Sequence, residues 1–251
     1  MALQPLITDD AGTLGGGSSQ LEVSFNRDRT RSDGETERAR AVPVTYSYGL
    51  TETVDIYAGI EHLRVRNPDD RVSGFGNTTI GAKWRFFENE ASGTSLAIKP
   101  EVAIPVSSRR EDDGLGTGKI SGSLTFILSQ ELPFGSIHFN AGIGRDRFRH
   151  LHVDLEDDEE EGEDARHHAS TRHFSVAPVW EVSEQWQLAL DVGIDRSRSG
   201  GHTERSKYAE IGAIYTPHKD VDLALGFIRT TDDEHPKSTT HGVTVGLTWR
   251  F

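Results

Sequence analysis

Cysteine is absent from all 251 residues, which excludes a disulfide framework and any thiolate metal site. Long apolar runs are absent as well. No stretch approaches the roughly 18–20 residues that a membrane-spanning helix needs, and only 34% of the chain is hydrophobic. Positive charge is scarce: 27 Lys and Arg stand against 40 Asp and Glu, a formal net charge of −13. General nucleic-acid binding needs a basic footprint and is therefore disfavoured. No secretory signal is visible, because Met1 to Pro5 offers neither a basic n-region nor an apolar h-region. If the chain is exported, its signal has been removed. Gly-x-Ser-x-Gly, His-Glu-x-x-His and P-loop patterns are all missing. Ser and His are scattered without distinctive spacing, so an outer-wall hydrolase is the least supported reading.

What the chain does have is period-2 alternation. In the last eleven residues Val243, Val245, Leu247, Trp249 and Phe251 share one strand face, with Thr244, Gly246, Thr248 and Arg250 on the other. Terminal residues of soluble domains tend to fray, so an ending on Trp-Arg-Phe asks for an apolar phase to receive the rings. The same alternation recurs upstream. Leu21, Val23 and Phe25 oppose Glu22 and Ser24; Val54, Ile56, Ala58 and Ile60 oppose Asp55, Tyr57 and Glu61. Trp186, Leu188, Leu190, Val192 and Ile194 oppose Gln187, Asp191 and Asp195. The strand that carries Tyr208 and Ile214 is ambiguous in phase; Ala209, Ile211, Ala213 and Tyr215 are read as outward.

About twelve such strands of roughly 10–13 residues fit tilted bilayer crossings, and an even number suits a single-chain barrel. The expected fold is all-β: a transmembrane up-and-down antiparallel β-barrel with short periplasmic turns and longer extracellular loops. A barrel shows lipid only every second side chain, which reconciles low hydropathy with a membrane location. Tight turns near 49–52, 88–93, 132–135 and 181–185 alternate strictly with polar loops near 29–37, 67–74, 107–118, 150–168 and 231–237. Tyr46, Tyr48, Trp84, Phe86, Trp180, Trp186, Tyr215, Trp249 and Phe251 cluster near the tidy rim, the level at which amphipathic rings meet headgroups. The alternative is a soluble barrel or sandwich.

Candidate functional residues follow from the inward phase. Glu22, Asp55, Glu61, Lys83, Arg85, Lys99, Glu101, His138, Asp191, Asp195, Glu210 and Arg250 would line the lumen. They either set up a transverse field across a wet pore or pair with one another and brace the wall. Glycines at inward positions, in Ile80-Gly-Ala82, Val192-Gly-Ile194 and similar triplets, either help strands bend or leave space along the axis. The loop 150–168 is acidic and His-rich; it could collect a divalent cation, but it lacks EF-hand spacing and reads first as a solvated, self-repelling loop. No metal or cofactor site is assigned. Residues 1–17 form a pre-barrel segment, either a tail or a periplasmic plug or latch, and residues 18–251 form the barrel.

The opening Pro5-Leu-Ile-Thr-Asp-Asp-Ala-Gly-Thr-Leu-Gly15, running into Gln20-Leu-Glu-Val23, resembles the start of bacterial outer-membrane channels named "putative meta-pathway of phenol degradation" proteins. The resemblance implies a monomeric barrel of about twelve strands that passes small, often hydrophobic or aromatic molecules by passive diffusion, without catalysis. It also implies that Thr8, Asp9 and Asp10 anchor the segment near the inner mouth. Gly15 to Gly17 depart from the pattern, where a Lys or similar residue is expected. The partners expected are the lipid bilayer, small solutes and, through the C-terminal strand, the barrel-assembly machinery, with no nucleic acid. The alternative function is a closed structural or adhesive outer-membrane barrel that presents its acidic extracellular loop.

Overall fold

The computed structural model describes residues 4–68, 70–148, 168–200, 202–233 and 237–251. Most of loop 150–168 lies outside the described residues. Thirteen strands form one sheet: β1 (Ser19–Ser32), β2 (Glu35–Gly49), β3 (Val54–Arg66), β4 (Arg71–Phe75), β5 (Thr78–Asn89), β6 (Thr94–Ile104), β7 (Ser121–Leu132), β8 (Gly135–Arg147), β9 (His168–Ser183), β10 (Trp186–Ser199), β11 (His202–His218), β12 (Val221–Asp232) and β13 (Ser238–Arg250). One short helix, α1 (Ser108–Asp112), lies between β6 and β7. Apart from β4 and β5, which do not pair with each other, each strand pairs antiparallel with its neighbour in sequence, and β1 also pairs with β13, Leu21 opposite Trp249 and Phe25 opposite Val245. The sheet is thereby closed. Both β4 and β5 lie against β3, at its outer and inner ends respectively, so the wall is a twelve-strand barrel with one extra short strand. No helix among the described residues is long and apolar enough to cross a membrane.

Burial is inverted relative to a water-soluble protein. Phe25 is 45% exposed, Leu188 48%, Val245 53% and Ile211 61%, whereas Gln20, Asp191 and Glu210 are at most 2% exposed. Apolar side chains face outward and polar ones inward, the pattern of a barrel whose solvent is hydrocarbon. Closure pairs both edges of the twelve wall strands through the membrane, where lipid could satisfy neither, and leaves β4 as a short strand paired on one side. The ambiguous strand β11 resolves with Ile211 outward and with Tyr208 and Ile214 buried inside.

Several expectations need correction. Residues 67–74 are not wholly a loop, because β4 begins at Arg71 and pairs back onto β3. Residues 29–37 are not a loop. Strands β1 and β2 run on through them to a two-residue turn, Asp33-Gly34, with φ of 47° and 84°, the signs a type I′ hairpin requires. The hydropathy alternation stops there because both faces are polar, while the hydrogen-bond ladder continues. The β10–β11 connection is equally short, so outer loops and inner turns do not alternate strictly in length. Residues 107–118 are not simply a solvated loop either. Leu115 is 3% exposed and Val106 7%, and Asn77 beneath them donates to Thr117 and accepts from its amide, so this connection folds into the outer mouth. Finally, the inward glycines are neither bends alone nor open space. At Gly212, Gly226 and Gly246 the space is filled by Gln4, Pro5 and Leu6 of the N-terminal segment, whereas at Gly81 and Gly193 it is filled by Tyr57 and Tyr208 of the wall.

Replacing outward Val245 by Arg should destabilise the barrel in lipid vesicles by about 2–4 kcal/mol, whereas inward Thr125→Arg should cost under about 1 kcal/mol. Urea titrations of the two variants check this.

Candidate functional site

All twelve candidate lumen residues lie on the inward face, and the structure joins four of them, Asp55, Lys83, Lys99 and Asp191, directly to one object, the segment 4–17, with His138 linked through Ser129 and Glu210 beside Gly226. The segment enters at the inner rim, where Gly17 N donates to Gly49 O. Gly15 and Gly17 take φ of 84° and 86°, a left-handed turn that a lysine would adopt only with strain. Leu14 N donates to both Asp55 oxygens at 3.1 and 3.0 Å. Ala11 N donates to Ser129 Oγ (2.8 Å), whose hydroxyl also meets His138 Nδ1 (2.8 Å). Ala11 itself is fully buried against Ala97 and Ile127.

Asp9 is the electrostatic centre. Its carboxylate is 2.8 Å from Lys83 Nζ and 3.1 Å from Lys99 Nζ, and Lys83 also donates to Asp10 O at 2.9 Å. The Asn140 carboxamide, oriented by its partners, accepts from Asp9 N and donates to Asp9 O. Burial alone would raise the Asp9 carboxyl; the two ammonium groups beside it override that and hold it well below its ordinary value.

Across the bore, Asp191 receives the next residues. Its carboxylate accepts from Ile7 N (2.9 Å), Thr8 N (2.7 Å), Thr8 Oγ1 (2.6 Å) and Tyr208 Oη (3.0 Å). Pro5 then packs beside Gly212 and Gly226, with Glu210 against the latter. Asp10 accepts from Gly12 N at 2.6 Å and shapes the segment's own turn. The basic arc and the acidic arc therefore do not pair with each other. The segment bridges them, Asp9 to the lysines and Thr8 to Asp191.

The other six candidates lie apart from it. Arg85 pairs with Glu88 near the inner rim, and Arg250 with Asp222. Asp195 binds His173 Nδ1 at 2.8 Å; Glu101 accepts from Ser123. Glu22, Glu61 and Glu101 line a cavity of about 330 Å³ beside Asp9 and Leu14. A second outer cavity of about 350 Å³ is lined by Glu101 and His173. An inner-mouth cavity of about 660 Å³ is lined by Asp10, Gly12, Arg85 and Arg250. Sequence reading missed Ser129, Asn140, Ser175 and Tyr208. The inward phase of the first three was legible and that of Tyr208 ambiguous, but no sequence signal links them to a segment more than 110 residues away.

One arrangement looks like hydrolase chemistry. Asp195, His173 and Ser175 align in series, with His173 Nε2 3.0 Å from Ser175 Oγ. Ser175, however, is buried and its Oγ lies 2.7 Å from Thr8 Oγ1, which accepts from it while donating to Asp191, so its Oγ braces the segment. Among the described residues no cluster of three or more His, Asp or Glu could hold a metal ion.

The proposed interface aromatics face outward. Trp84 is 49% exposed, Trp249 48% and Phe251 60%; Tyr46, Tyr48 and Trp180 are exposed likewise. Trp186 stacks on Tyr215 at 4.7 Å between centroids.

Closed wall, apolar exterior and polar bore define an outer-membrane β-barrel. The chain belongs to the family described as "Putative MetA-pathway of phenol degradation", whose model matches residues 4–251. Among solved structures it is similar to an outer membrane channel from Pseudomonas putida F1, with TM-score 0.72 and 13% identity over 96% of this chain and 98% of that one. It is also similar to the β domain of the Bordetella autotransporter BrkA (TM-score 0.59, 10% identity, 94% and 100% covered) and to the NanC porin (0.58, 8%, 90% and 98%). Comparison with curated proteins returned no match.

Asp191→Ala removes the acceptor for both the Ile7 and Thr8 amides. Hydrogen bonds to charged groups are worth about 1.5–3 kcal/mol each, so amide exchange at Ile7 and Thr8 should accelerate at least about tenfold, while Asp222→Ala leaves it unchanged.

Proposed function

We propose that this barrel is a non-catalytic channel for passive diffusion of small molecules, and that residues 4–17 are a plug that sets its width. The observation that carries the reading is the seat itself. A polar chain segment crosses the bore, tied to wall strands on opposite sides, with water-accessible cavities on its inner and outer faces. A twelve-strand wall lies between the side-chain-filled eight and the open sixteen of porins, so one segment suffices to narrow it. Thr8 and Asp9 are its main anchors and Asp10 its internal brace; residues 18–251 are the conducting wall. The family description favours small aromatic solutes. Closure within one chain supports a monomer, and the outward Trp249 and Phe251 at the end of β13 suit recognition by the barrel-assembly machinery.

Planar-bilayer recordings and liposome swelling with aromatic and sugar solutes test this. The full chain should conduct weakly and admit small solutes, and a chain lacking residues 4–14 should conduct several-fold more. Verified insertion with silence from both chains would favour the closed barrel that presents its acidic loop.

The clamp also predicts a pH dependence. Asp9 is held below its ordinary value of 3.8, so its contribution to seating is fully present above that value and is lost as pH falls through the depressed one. Conductance should show no Asp9-dependent change between about pH 7 and 5 and should rise only in stronger acid; Asp9→Asn should abolish that acid step.

A further inference from the structure

The outer ends of the strands segregate charge by face. Arg229 on β12 is opposite His241 on β13, which is opposite Arg29 on β1. Arg29 is opposite Arg38 on β2, Arg38 opposite Arg66 on β3, and Arg66 opposite Arg71 on β4. Six basic side chains therefore form one unbroken cross-strand row, all of them exposed. The next row inward runs Phe227, Val243, Arg27, Arg40, Arg64. Apolar residues of the lipid-facing wall give way to arginines within that row. Arg27, Arg38, Arg40, Arg64, Arg66 and Arg71 enclose a surface concavity of about 140 Å³.

Directly opposed like charges destabilise a sheet, and this chain has acids in excess. Yet the acids on the same strands, Asp28, Glu37 and Glu61, have inward phase, and no ion pair among the described residues involves any arginine of the row. The row thus offers a dense positive field with its counter-charge supplied from outside. Guanidinium groups match phosphate oxygens bidentately, and this site sits where the hydrocarbon-facing surface ends, at headgroup level on the external side.

We propose that the outward face of β1–β4 binds the phosphate groups of a phosphorylated glycolipid in the external leaflet of the outer membrane. The lipid's acyl chains lie along the apolar wall formed by Phe25, Val42 and Phe75, and its phosphates lie in the arginine concavity.

The test uses the full chain in detergent with bisphosphorylated lipid A, the same lipid dephosphorylated, and inorganic phosphate as separate probes, read by native mass spectrometry. The wild type should retain the phosphorylated lipid at least about tenfold better than the dephosphorylated form, and R29Q/R38Q/R66Q/R71Q should lose at least about that factor. Lys219→Gln, at the opposite rim, should bind like wild type. The R38K/R66K variant keeps the charge and should retain part of the binding, which separates loss of the site from loss of folding; heat-modifiable migration checks the folding of each protein. Equal retention by the quadruple variant, no preference for the phosphorylated lipid, or full displacement by millimolar inorganic phosphate would each overturn the proposal.

Discussion

Everything here depends on the backbone's need to satisfy its own hydrogen bonds in a medium that offers none. The β1–β13 ladder, thirteen residue pairs long from Gln20 opposite Arg250 to Ser32 opposite Ser238, is what closes the sheet. Once it is closed, the two-residue period of a strand assigns every side chain to lipid or to the bore. That is why a chain with 27% charged residues can live in a membrane. Its charges alternate with apolar residues instead of interrupting them.

A bore lined with ionisable groups then faces its own difficulty. Among the described residues Lys83 and Lys99 form no ion pair with Asp191 or Glu210 across the bore, and a charge left unpaired in a narrow lumen is costly. The N-terminal segment meets both demands at once. Asp9 offers its carboxylate to Lys83 and Lys99, and the Ile7 and Thr8 amides turn toward Asp191. Four of the wall charges, Asp55, Lys83, Lys99 and Asp191, thus hold the segment. What the segment leaves open includes the cavity beside Tyr57 and Glu101. At the outer end the same period-2 logic is used with other chemistry, acids turned in and arginines turned out.

Much of the fold was legible because hydrophobic alternation and strand phase are the same signal. Val243 to Phe251 and Trp186 to Ile194 declare their outward faces without help. Legibility ended where that coupling ended. Between Arg27 and Arg40 both faces are polar, so a hairpin read as a loop. At Gly76 and Asn77 the wall strand breaks into β4 and β5, which no periodicity marks. The inward fold of residues 107–118 depends on Leu115 finding Gly74, a tertiary event. The seat of the segment was partly legible: Thr8, Asp9 and the lumen ionisables could be named, but not which would meet. The bond from Thr8 to Asp191 spans 183 positions, and the aspartate looks no different in sequence from Asp195, which does other work.

The central claim is that residues 4–17 occupy the bore of the native barrel. Because the chain has no cysteine, thiol chemistry in intact outer membranes is free of background from it. Ala11 lies in one buried cluster with Ala97 and Ile127, so an A11C/A97C pair should be bridged by a short bis(methanethiosulfonate) cross-linker, each thiol displacing one methanesulfinate, and remain closed to bulky maleimides from either side. Failure of the bridge, with Cys substituted at Ala11 labelled freely by a bulky maleimide, would contradict the account.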